Sequence, residues 1–191
     1  GNPQSRINAL QSAIMDTAGN VVVDRLFEMD LYCPIIDEYD GTGGQKFKRT
    51  ISTAGAGGWR LTQRKTVPGI AVQQPTFWPG ILIHNQYSTW HDLEIFMRWG
   101  SAGICTADYS GGQAFGNRFY NVACIMSGWN PATDSDRSPL WLTQGIRTTW
   151  GSAGSGHSAS EIHCVDCKFN AMVPMWIEHN QSANWIFSRT H

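Results

Sequence analysis

From residue 80 onward the chain is written in short runs that open on glycine or proline and then alternate apolar with polar positions. Such alternation places residues i and i+2 on one face and marks half-buried strands. Four runs line up: Gly80-Ile81-Leu82-Ile83-His84-Asn85, Gly103-Ile104-Cys105-Thr106-Ala107-Asp108, Pro139-Leu140-Trp141-Leu142-Thr143-Gln144 and Pro174-Met175-Trp176-Ile177-Glu178-His179. A second set takes turns with the first: Trp90-His91-Asp92-Leu93-Glu94-Ile95, Phe119-Tyr120-Asn121-Val122-Ala123-Cys124, Ile162-His163-Cys164-Val165-Asp166-Cys167 and Trp185-Ile186-Phe187-Ser188-Arg189-Thr190. In this alignment the first set buries Ile81, Ile104, Leu140 and Met175 beside Ile83, Thr106, Leu142 and Ile177. The second buries Leu93, Val122 and Val165 beside Ile95, Cys124 and Cys167, with Trp90, Phe119, Ile162 and Trp185 entering from the preceding bend.

Like residues recurring in columns are what parallel strands produce when they are wound into a solenoid, each stacked about 4.8 Å from the next. The spacing between equivalent runs varies from 23 to 43 residues. Surface loops inserted at the corners, at 127–138 and 151–160, absorb that variation. An antiparallel sandwich or jelly roll would also give short alternating strands, but it calls for two-residue Asn-Gly or Asp-Gly hairpins, and none joins the paired runs after residue 80. Upstream, Ile7, Leu10 and Ile14 space a short amphipathic helix over 5–18, opened by Ser5 and stopped by Gly19. Val21-Val22-Val23, residues 26–36 and residues 50–66 read as strands, with 41–44 as a loop. The expected fold is therefore all-β, a parallel β-helix with a short N-terminal helix. One domain fills 1–191: a cap to 20, first coils over 21–79 and regular coils over 80–191. Residues 188–191 stop in mid-repeat, so a longer solenoid is expected.

Composition narrows the partners. Only 15% of the 191 residues are charged and the net charge is -1, which provides no basic field for nucleic acid or anionic lipid. No apolar run approaches the roughly 20 residues that span a bilayer, and no signal peptide is visible. Five cysteines without small-domain spacing do not form a disulfide framework. Cys164-Val165-Asp166-Cys167 is a lone pair, and it fits the apolar columns better than it fits a zinc or redox site. No cofactor and no metal are expected.

The N-terminal helix, the Val21-Val22-Val23 strand, the glycine-rich bend and the coils with Asp92 or Asn121 before a buried Leu or Val resemble the pectate-lyase-like right-handed β-helix of bacteriophage tailspikes and polysaccharide-processing enzymes. The resemblance runs over most of the chain. It implies a homotrimeric virion or extracellular protein that recognises a bacterial surface polysaccharide, with cleavage left open. A non-catalytic adhesion or structural module and a free secreted lyase, hydrolase or epimerase are the alternatives. Trp141 and Trp176, outward in the alignment and followed by His84 and Glu178 at the next outward position, are the candidate sugar-binding surface, since aromatic faces pack on sugar rings. The competing reading puts both Trp under a loop or against another subunit. Glu94 and Asp166, aligned two coils apart, and Glu178 are the candidate carboxylates for acid, base or nucleophile roles at the separations glycoside hydrolysis uses.

Overall fold

The computed structural model describes residues 9–10, 12, 20–23, 28–31, 35–38, 50–53, 59–63, 79–97, 102–106, 114, 116–126, 144–148, 159–177 and 183–191. In chain order its strands are β1 (Asn20–Val23), β2 (Glu28–Leu31), β3 (Ile35–Glu38), β4 (Thr50–Thr53), β5 (Trp59–Gln63), β6 (Pro79–His84), β7 (Thr89–Met97), β8 (Ala102–Thr106), β9 (Arg118–Met126), β10 (Gln144–Thr148), β11 (His163–Val165), β12 (Lys168–Asn170), β13 (Val173–Trp176) and β14 (Ile186–Ser188). Helix is confined, among the described residues, to Ala9, Leu10 and Ser12, within the expected N-terminal segment. Among them, no helix is long and apolar enough to cross a membrane.

Every strand pairing among the described residues is parallel. The strands form two sheets, one carrying β1-β4-β7-β9-β11-β14 with β2, β5 and β12 attached, the other ordered β13-β10-β8-β6-β3. From β5 to β11 the chain alternates strictly between them. Neighbouring strands in each sheet are therefore not consecutive in sequence, and the hairpins of an antiparallel sandwich are absent from the described residues.

The core lies between the sheets and is built of columns. Ile81, Ile104 and Ile146 are in register and fully buried. Opposite them, Trp90, Phe119 and Cys164 form one column, and Leu61, Ile95, Cys124 and Phe169 another. Leu10 packs against this cluster. Full burial of each large apolar side chain contributes about 1.5–3 kcal/mol.

Two backbone features set the bends. Tyr87, Gly116, Glu161 and Asn184 have left-handed φ of 57°, 70°, 58° and 57°, and five residues later Asp92, Asn121, Asp166 and Arg189 have φ of 55°, 52°, 55° and 49°. The second set turns the chain in the middle of β7 and β9, and at the same register Asp166 separates β11 from β12. Asn and Asp tolerate this conformation best among non-glycine residues, which explains Asp92, Asn121 and Asp166 there. Gly103 and Gly145 answer a different need: a Cβ on Gly103 would lie 2.6 Å from Cys124 Sγ, and one on Gly145 would lie 2.7 Å from Phe169 Cβ. At these points the second sheet presses directly on the first.

The observed register corrects several expected columns. The run expected at 139–144 is replaced in the second sheet by β10, so Ile146 fills the place assigned to Leu140, which is outside the described residues. In the first sheet the 162–167 run is displaced by two residues: Cys164, not Ile162, pairs with Phe119, and Phe187, not Trp185, continues that column. Cys167 accordingly stacks over Val122 rather than Cys124. Met175 and Ile177, expected to be buried, are 43% and 44% exposed, β13 being the last strand of its sheet among the described residues.

Candidate functional site

The two outer faces differ. On the second sheet the outward column runs Leu82, Cys105, Arg147, Trp176. Leu82, Cys105 and Arg147 are buried, and only Trp176 is open, at 40%. Trp176 pairs in register with Arg147, so the place expected for Trp141 is taken by an arginine. Trp141 and Glu178 lie outside the described residues, and of His84 only its backbone position, at the end of β6, is described.

The remaining two candidates lie on the first sheet, and the register separates them. The outward position of Glu94 continues through Ala123 to Lys168, so the residue two repeats from Glu94 is a lysine. Asp166 belongs to the bend column of Asp92 and Asn121. Glu94 is in an ion pair with Arg60 of the adjacent strand at 2.5 Å. Asp166 accepts two hydrogen bonds from Arg189, at 2.5 and 2.7 Å. These bonds hold its carboxyl below the usual carboxylate range. The two carboxylates thus neither share a column nor lack a cation.

The sign of the Asp166 effect on stability follows from its depressed value: the contribution is present above the unfolded-state pKa and is lost as pH falls through the folded-state one. Thermal melts of Asp166→Asn and the parent are expected to differ by a constant, small amount from pH 7 to about pH 4, and the difference is expected to close below that. A difference that widens in acid would contradict the pairing.

Between the two bends, β7, β9 and β11 present a flat outer face that the sequence reading had not singled out. Two columns run across it. One is Thr89, Arg118, His163; the other is His91, Tyr120, Val165. The His91 and Tyr120 rings stack with centroids 4.9 Å apart and planes 14° from parallel. Arg118 is exposed, and His91, Tyr120 and His163 are half-buried. Along the bend Asn121 donates to Asp92 Oδ1 at 2.8 Å. Beneath the face, Asn117 is buried and donates to the Asn85 carbonyl at 3.0 Å, while its Oδ1 accepts from the Ser88 amide at 2.9 Å. The same outward alternation that marked Glu94 could have pointed to His91 and Tyr120, but only the register shows that their rings meet.

The four described cysteines are buried, Cys105 in the outward column of the second sheet and Cys124, Cys164 and Cys167 in the core. Burial pushes the Cys105 thiol up to about 12, against a smaller lowering by Arg147. Cys124 is raised by burial and then by Cys167, and Cys164 is raised by its hydrogen bond with Cys167 and by burial. All four described cysteines are free thiols. Among the described residues no group of three or more His, Cys, Asp or Glu is placed to hold a metal ion. Comparison of the chain with family models, curated proteins and solved structures finds no match.

Proposed function

We propose that the chain is wound as a right-handed parallel β-helix of the pectate-lyase-like kind, and that it recognises a bacterial surface polysaccharide on the outer face of β7, β9 and β11. The winding is supported by uniformly parallel pairing, by alternation between two sheets and by like residues stacked in register. The observation that carries the functional reading is the His91–Tyr120 stack, held on an open face and flanked by Arg118, His163 and the hydrogen-bonding bend. A rigid aromatic platform rimmed by polar groups suits a sugar ring, whose C–H face packs on the π-system while its hydroxyls find partners.

Binding without cleavage is the form this reading takes, because Glu94 and Asp166 are each engaged by an arginine and sit at different registers. The resemblance carries with it a homotrimer on a virion or outside a cell, which light scattering tests. For the binding itself, titration with capsular and lipopolysaccharide preparations is the direct measurement. Tyr120→Ala is expected to weaken binding by about tenfold or more without shortening the polymer in either protein. Undiminished binding by Tyr120→Ala would remove the platform from the reading, and polymer shortening by the parent would replace recognition with catalysis.

A further inference from the structure

Two thiols meet across the bend between β11 and β12. Cys164 lies in β11 and Cys167 immediately precedes β12. Both are buried, at 0% and 1% exposure, and the left-handed φ of 55° at Asp166 folds the chain between them. Their side chains are in hydrogen-bond contact. In register, the same two places hold Trp90 and Leu93 in β7 and Phe119 and Val122 in β9, so this winding sets two sulfurs where its neighbours set large apolar side chains. The bond from Cys164 holds the Cys167 thiol below its ordinary value, against burial, which raises it. The thiolate is the form that attacks a disulfide.

The cover over the pair is thin. β14, three residues long, is the last strand of its sheet among the described residues. Few bonds tie the winding after it to the bend: the Asp166 N–H donates to the Ser188 carbonyl at 2.9 Å, the His191 N–H to the Cys167 carbonyl at 3.0 Å and Thr190 Oγ1 to the Cys164 carbonyl at 3.2 Å. Short edge windings of this kind open locally at low cost, which admits a small reagent.

We propose that Cys164 and Cys167 are a thiol–disulfide exchange site, oxidised reversibly to an intrachain disulfide by a small organic disulfide such as oxidised glutathione. The Cys167 thiol releases its proton, and its sulfur attacks one sulfur of the reagent, whose S–S bond breaks to release one glutathione thiolate. Cys164 then loses its proton and attacks the Cys167 sulfur of the mixed disulfide, releasing the second. Two protein thiols are oxidised, the reagent disulfide is reduced, and the two protons end on the two glutathiones. The sulfurs close from hydrogen-bond contact to a bond of about 2.05 Å.

In the test, the folded chain is incubated with oxidised glutathione, then unfolded and its thiols blocked with iodoacetamide. The reduced chain offers five cysteines to the blocking reagent; three are expected after oxidation, with dithiothreitol restoring all five. Cleavage between Val165 and Asp166 is expected to leave two peptides joined by the new bond. Cys164→Ala is expected to stop with one glutathione held on Cys167, and Cys124→Ala to form the bond as the parent does. The peptide map of the parent decides the pairing even where a variant does not fold. Five blocked cysteines after oxidation, or a bond from Cys167 to any cysteine other than Cys164, would overturn the proposal.

Discussion

Phe119→Ala is expected to cost about 3–5 kcal/mol of folding stability, the range for deleting a fully buried aromatic ring. Phe119 is 0% exposed and lies in register between Trp90 and Cys164, which are also 0% exposed. Its column neighbours are fixed by strand pairing on both sides, so little collapse into the vacated space is available. For a chain of this length each kcal/mol moves the melting midpoint by roughly 2–4 °C, so a fall of about 6–20 °C is expected in a thermal melt followed by circular dichroism. Arg118→Ala, one residue away and exposed, is the control and is expected to stay within about 0.5 kcal/mol of the parent. Similar melts for the two variants would mean that the aromatic column is not the packed interior described above.

Asn117→Ala is expected to cost about 2–4 kcal/mol, although it removes no apolar surface. The Asn117 amide serves two buried backbone groups at once, the Ser88 N–H and the Asn85 carbonyl, and the variant takes one hydrogen bond from each. Leaving a buried polar group short of a partner costs about 1–3 kcal/mol. The measurement is urea denaturation together with hydrogen exchange at the Ser88 amide, which is expected to accelerate. Unchanged stability and unchanged exchange would show that the bend ahead of β7 does not depend on this side chain.

The parallel columns were legible where two successive repeats kept full alternation. Ile81 with Ile104, Trp90 with Phe119 and Leu93 with Val122 all pair as the sequence alignment placed them. The reading slipped where alternation alone decided. Ile162 and Cys164 are both buried and were equally good partners for Phe119 by pattern, and the two-residue shift turns Val165, expected inside beside Val122, outward beside Tyr120. The left-handed bend residues fix that choice, with Asp166 following Asn121 and Asp92. Likewise the Gly-Ile step of Gly80-Ile81 and Gly103-Ile104 recurs at Gly145-Ile146, and it outweighs the Trp141 to Leu142 alternation once the need for a missing Cβ at Gly103 and Gly145 is seen. Which outer face is open was beyond any strand pattern. Leu82 and Cys105 alternate as outward residues and are nonetheless buried.

The two left-handed bends stay five residues apart in each of four repeats, while the steps from one repeat to the next are 29, 45 and 23 residues. Chain-closure entropy grows only logarithmically, so the near-doubling from 23 to 45 costs roughly 0.6 kcal/mol. The frame between the bends is strict and the connections are permissive. Foreign peptides grafted between Met126 and Gln144 should leave the stacked frame intact, whereas a single deletion between residues 87 and 92 should put the side chains of β7 on the wrong face.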